Sequence, residues 1–164
     1  MNKIFPKHPR ILAIAPSTKG FGYAVLEGHK ELVDWGVKSV EGDKNAGSIE
    51  KVEEMIAHYN PQVMVLEDTG AKGSRRSARV QTLTKRLIAL AESRATKVVL
   101  FSQKQVRRVF FANDRGTKHA LAEIIAKRFQ EELGFRLPPK RRAWMSEDSR
   151  MDIFDAVALA LMVG

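Results

Sequence analysis

The chain has 164 residues and a mass of 18.4 kDa, with 28 Lys and Arg against 19 Asp and Glu, a net charge of +9 and no cysteine. That length fits one domain, residues 1–164, which on folding buries roughly 70% of the surface of its unfolded chain. The lack of cysteine excludes disulfides, thiolate zinc sites, iron–sulfur clusters and a cysteine nucleophile, so any metal needs oxygen ligands or the four histidines.

The first third reads as strands. Arg10 to Pro16 is a short apolar run, the pattern of a strand covered on both faces. Gly20 to Leu26 follows at once, so the two form a hairpin with Ser17 to Lys19 at its turn. Leu32 to Val40 alternates well enough for a third strand. Ser48 to Tyr59 carries Ile49, Val52, Ile56 and Tyr59 at helical spacing, with Ser48 as the cap. Asn60-Pro61 ends that helix, because a residue before proline disfavours the helical region.

Gln62 to Glu67 is a second apolar run, the pattern of a central strand. A long helix is expected from about Ser74 to Arg94, with Val80, Leu83, Leu87, Leu90 and Ala91 on one side. Lys97 to Phe101 reads as a fifth strand. Lys104 to Phe111 and Lys118 to Leu133 read as helices, the second ended by Gly134. A basic loop containing Pro138-Pro139 leads to a last helix, Met151 to Met162. Short turns make the three leading strands antiparallel, and strands that follow helices run parallel. The expected fold is α/β, a five-stranded mixed sheet flanked by helices, with no repeat and no second domain.

The apolar stretch after the basic N-terminus, Ile11 to Ala15, is too short for a signal-peptide core. No run approaches the ~18 apolar residues of a membrane span. The expectation is a cytoplasmic protein with no membrane partner.

Charge is unevenly spread: residues 1–68 carry a net −2 and residues 69–164 a net +11. Such asymmetry points to an anionic partner, nucleic acid first, with a solvated surface as the alternative. The basic residues cluster. Lys72, Arg75, Arg76 and Arg79 stand together, and at about 100° per residue Arg75, Arg79 and Arg86 share one helix face. Lys104, Arg107 and Arg108 form a second group, Arg115 and Lys118 a third, and Lys140, Arg141 and Arg142 a fourth. Together they suggest a phosphate-binding face. Phe110, Phe111 and Trp144 offer rings for stacking on bases, although the two phenylalanines also suit a core. His8, His29, His58 and His119 have no metal-ligand spacing.

Carboxylates occur where packing alone would not put them. Val63 to Leu66 is a buried-strand run, and Glu67 and Asp68 sit at its carboxyl end, where open α/β sheets bind ligands. The alternative is a strand end reaching solvent. Residues 153–163 contain ten apolar side chains and Asp155. A helix apolar nearly all round is buried, and an unpaired buried carboxylate is costly. Asp152, three residues before Asp155, projects from the same face. Two acids there need cations, and a divalent metal is one answer. Asp152 has another reading, as the acid of a capping-box variant begun by Ser149.

These segments, in this order, resemble the RuvC-type Holliday-junction resolvases of the ribonuclease-H-like superfamily. The similar pieces are residues 11–28 (ILAIAPSTKGFGYAVLEG), 63–68 (VMVLED) and 150–161 (RMDIFDAVALAL), with Gly116-Thr117-Lys118 before a helix. Coverage is nearly the whole chain, and the Asp-x-x-Asp-Ala helix is the most specific match. The resemblance implies that Glu67, Asp152 and Asp155 are the catalytic carboxylates. They would hold two Mg²⁺ or Mn²⁺ ions for hydrolysis of a DNA phosphodiester. It also implies branched or four-way-junction DNA as substrate and a homodimer, since two symmetric cuts need paired sites.

The chain departs from that family at one place. The family's first strand ends in Asp-Pro-Gly, and its aspartate is a metal ligand; here the residues are Ala15-Pro16-Ser17. A methyl group coordinates no cation. Loss of even an outer-shell partner costs about 10–100-fold in metal affinity or activity. The sequence therefore leaves open an engineered replacement, compensation by Asp68 or Asp148, or a catalytically inactive nucleic-acid-binding relative. A third class, an actin-like or sugar-kinase-like nucleotide-binding domain, has a similar first hairpin but needs two duplicated domains and phosphate-binding loops.

Overall fold

The computed structural model describes residues 9–28, 31–113, 115–140 and 147–163. Five strands and six helices follow in the order β1 (Arg10–Pro16), β2 (Gly20–Glu27), β3 (Glu31–Ser39), α1 (Lys44–Tyr59), β4 (Val63–Glu67), α2 (Ala78–Ser93), β5 (Lys97–Phe101), α3 (Gln103–Phe111), α4 (Lys118–Arg128), α5 (Gln130–Leu133) and α6 (Met151–Leu161). The sheet order is β3-β2-β1-β4-β5. The first three strands pair antiparallel, and β4 and β5 add in parallel. This is the expected mixed α/β sheet. The β1–β2 turn closes at Ser17 to Lys19, with Ser17 N–H donating to the Gly20 carbonyl at 2.9 Å.

Strand alternation sorts the core into two halves. In β1, Leu12 and Ile14 pack with Met64, Leu66, Val52, Leu83 and Leu87 beneath α1 and α2. Ile11, Ala13 and Ala15 face the other way, with Ala24, Val65 and the apolar residues of α4 and α6. Both faces of the sheet are covered. That explains why β1 and β4 read as continuous apolar runs rather than alternating ones.

Small residues set how closely α6 lies on the sheet. A Cβ at Gly22 of β2 would stand 2.4 Å from the Asp152 carbonyl and 2.6 Å from the Asp152 Cβ. Only glycine admits this approach. Ala13, Ala15 and Ala24 on the strands meet Ala156, Ala158 and Ala160 in the same core.

Several expected boundaries shift. Helix α1 begins at Lys44, four residues before Ser48, because Asp43 is the cap and its Oδ1 accepts from Ala46 N–H at 3.0 Å. Asn45 and Gly47, poor helix formers, hide that first turn from a propensity reading. Ser48 is instead buried inside the helix. At the far end Asn60 adopts φ 48°, ψ 55°, a left-handed conformation that asparagine tolerates.

Helix α2 starts at Ala78 after the cap Ser77, so residues 74–77 are not helical. Arg75 therefore does not share a helix face with Arg79 and Arg86. The expected helix from Lys118 to Leu133 breaks at Phe129 (φ −119°, ψ 56°). That turn lets both Phe129 and Leu133 reach the core. Gly134 has ordinary right-handed helical angles, so it is not a left-handed helix end. Helix α6 has Arg150 at its N-cap and no side-chain cap. The Ser149–Asp152 capping box does not form, which leaves the Asp152 carboxylate free to face other groups.

Candidate functional site

Strand register brings the signature residues together. The β1–β4 pairing sets Ala13 beside Val65, and two residues further along each strand Ala15 and Glu67 line the same cavity. Ala15, Pro16, Glu67, Arg76, Gln103, Lys118 and Asp155 line one cavity of about 130 Å³. It lies beyond the carboxyl ends of β1 and β4, where α/β sheets bind ligands.

Glu67 is held from two sides. Arg76 Nε donates to its Oε2 at 2.9 Å and Arg76 Nη2 to its Oε1 at 2.9 Å. Gln103 Nε2 also donates to Oε1 at 2.9 Å. Burial works to raise the Glu67 pKa, but the hydrogen bonds and charge of Arg76, with help from Gln103, hold it below the ordinary value. The guanidinium reaches back because Arg76 lies in the non-helical segment before α2.

The second half of the site sits on α6. Asp152 is buried, and its pKa is pushed up to about 6, first by burial and then by the charge of Asp155. Lys118 and a hydrogen bond from Ser17 work the other way. The Asp155 carboxyl is likewise raised, by burial above all, against the pull of Lys118. Lys118 Nζ lies 3.0 Å from Asp155 Oδ2 and also contacts Glu147 Oε1. Burial works to lower the lysine pKa, yet these two carboxylates raise it. Oxygens of Glu147, Asp152 and Asp155 all fall within 4.8 Å of one another.

Glu147 is a site residue that sequence reasoning missed in favour of its neighbour. Asp148 faces away: it accepts from Arg150 Nη2 at 2.7 Å, Nε at 3.0 Å and the backbone N–H at 2.9 Å. Asp68 does not join the cluster either. Its Oδ1 accepts from Gly70 N–H at 3.1 Å in a local turn. The Arg76 and Lys118 ion pairs were also not foreseen, since both side chains were expected to face DNA.

A second cavity, of about 410 Å³, adjoins the first through Glu67, Arg76, Gln103 and Arg107. Lys72, Arg75, Arg76, Lys104 and Arg107 all line it, so tertiary structure merges two separate basic clusters. Not every basic residue is available for such a role. Arg79 braces the β1–β2 turn, donating to the Ser17 carbonyl at 2.8 Å and to Asn45 Oδ1 at 3.0 Å. Arg107 keeps its place on both cavity walls while its Nε donates to the Gly116 carbonyl at 2.8 Å. Arg86, Arg108, Arg115 and Lys140 are exposed and line neither cavity. Arg141, Arg142 and Trp144 lie outside the described residues, as do His8 and His29. Phe110 and Phe111 are partly buried against the α6-side core. His119 pairs with Glu123 at 3.1 Å, and the His58 ring packs edge-on to Tyr59.

The residues present do not fit a centre of two divalent ions bridged by Glu67, Asp152 and Asp155. Glu67 spends both oxygens on Arg76 and Gln103, Ala15 offers no ligand, and an ammonium already sits against Asp155 and Glu147. What remains is a cluster of three carboxylates, two of them in contact with Lys118.

No protein-family description matches the chain, and no curated protein matches its sequence. Solved structures do match. Thermus thermophilus RuvC aligns with a TM-score of 0.67 and 17% identity, covering 93% of this chain and 91% of that one. The same protein in complex with a Holliday junction substrate aligns with a TM-score of 0.67 and 17% identity, over 94% and 92%. The yeast mitochondrial Holliday junction resolvase aligns with a TM-score of 0.61 and 14% identity, over 95% and 80%. With its β3-β2-β1-β4-β5 sheet and α6 laid across β1 and β2, this chain has the fold of the RuvC-type resolvases.

Proposed function

We propose that this chain is a RuvC-like, structure-selective DNA-binding protein of the Holliday-junction resolvase type. It acts as one domain, residues 1–164, in a homodimer on branched or four-way-junction DNA, in the cytoplasm, in recombination and repair. The observation that carries this reading is the juxtaposition of two cavities at the sheet's carboxyl end. One is lined by Glu67 and Asp155, the other by Lys72, Arg75, Lys104 and Arg107. Cations at such a rim hold phosphates. The RuvC complex with a Holliday junction substrate supports the choice of DNA. No helix among the described residues is long and apolar enough to cross a membrane.

The alternative is a crossover-junction endodeoxyribonuclease using Mg²⁺ or Mn²⁺, with Glu67, Asp152 and Asp155 catalytic; the ion pairs on Glu67 and Asp155 speak against it. Ala15 favours the second reading, a relative that binds junctions without cutting them. The test incubates a labelled four-way junction and Mg²⁺ or Mn²⁺ with the native protein and with Ala15→Asp. Binding that prefers the junction over linear duplex supports the main reading, and equal weak binding to both overturns it. Cutting only by Ala15→Asp supports the second reading. Cutting by the native protein that Asp155→Asn abolishes supports the nuclease.

A further inference from the structure

Resting on the junction-binding reading, we propose that Arg76 and Lys118 are the resident cations of the carboxylate pocket, in place of divalent ions. Two separate pieces of geometry carry this. Arg76 takes both oxygens of Glu67 in a two-point grip, with each bond at 2.9 Å. Such pairing is the strongest form of carboxylate recognition available to a side chain, and it occupies the positions a metal would need. On the other wall, Lys118 Nζ lies 3.0 Å from Asp155 and touches Glu147, two of the three carboxylates that converge there.

A hard cation entering that cluster must displace an ammonium from the same oxygens, or stand beside a like charge. The lysine competes as a tethered group, with an effective concentration in the millimolar range or above. Ala15 belongs to the same arrangement. It lines the cavity shared by Arg76, Lys118 and Asp155 and adds no charge that would call for a further cation.

Lys118 is fixed in this role by its position. It is the first residue of α4, whose cap Thr117 accepts from Ala120 N–H at 3.0 Å, so its stem leaves a rigid helix end beside α6. Arg76 is fixed by the short segment ahead of the Ser77 cap. Both cations therefore come from elements other than the ones that carry the acids.

The test is a Mn²⁺ titration of the full chain, free Mn²⁺ being read by electron paramagnetic resonance, on the native protein, Lys118→Met and the double variant Arg76→Gln/Lys118→Met. Lys118→Met is expected to bind Mn²⁺ about tenfold more tightly than the native protein or better, the scale on which one supporting group changes metal affinity. Native binding as tight as that of both variants overturns the proposal. Should Lys118→Met fail to fold, Lys118→Gln replaces it, and tight saturable Mn²⁺ binding by the native protein is by itself sufficient to overturn. Junction affinity, read by fluorescence anisotropy in chelator, checks the junction reading separately. Absence of junction binding removes that reading, and the Mn²⁺ comparison still decides the identity of the cations.

Discussion

Arg76 closes a two-point ion pair on Glu67 from a segment that is not helical, nine residues further along the chain. The Glu67 side chain is 11% exposed and Arg76 31%, so solvent screens this pair only in part. It converts the carboxylate at the end of β4 from a free ligand into a satisfied structural group.

Arg76→Gln should therefore destabilise the protein. It leaves a largely buried carboxylate with Gln103 as its remaining partner, a loss of about 1–3 kcal/mol. The sign with pH follows from the lowered Glu67 pKa. The pair's contribution is present above the unfolded carboxylate value and disappears as pH falls through the lower folded value. Thermal melts at pH 7 and in strong acid should differ between native and variant at neutrality and converge in acid. A constant difference across that range contradicts this.

Asp152 carries the opposite sign. Its folded pKa of about 6 lies above the unfolded value of about 4, so its ionisation opposes folding. Stability contributed by its neutral form is present at low pH and is lost as pH rises from about 4 to about 6. Asp152→Asn should accordingly stabilise the protein at pH 7 by about 1–3 kcal/mol, judged from a shift near two units. Carboxyl ¹³C titration of Asp152 gives the direct check: a midpoint in the ordinary range near 4 contradicts the burial argument.

Gly22→Ala tests how α6 is seated. The added methyl would lie 2.4 Å from Asp152 backbone atoms, so α6 or β2 must move. Overpacking of this kind costs about 1–3 kcal/mol, and here it displaces the element that carries both aspartates. A lowered denaturation midpoint is expected, together with a shifted Asp152 titration. An unchanged midpoint means the helix has slack that the structure does not show.

Binding to branched DNA should weaken steeply with salt. Lys72, Arg75, Lys104 and Arg107 line one cavity, and with two further contacts from the exposed basic residues the slope of log affinity against log salt is about −5. Anisotropy titrations over a range of salt measure it. Lys104→Ala should make the slope shallower by about 1. A flat response contradicts a phosphate-binding surface.

Much of the fold was legible because apolar periodicity and turn residues act locally. The runs at residues 10–16 and 63–67 became β1 and β4, and Asp155 stood out because no other charge interrupts residues 153–163. Charge partners were not legible. Arg76 was expected to lie on a helix with its face toward DNA, and only the delayed start of α2 at Ala78 turns it back to Glu67. The same holds for Glu147 and Asp148. They are neighbours in sequence, yet one joins Asp152 and Asp155 while the other folds onto Arg150.

The +9 charge and the alanine at position 15 follow from composition and order alone. Tertiary structure decided which cations face which acids. That choice depends on side-chain reach between separate elements, with the paired groups 9 to 37 positions apart, and such reach leaves no periodic trace in a sequence.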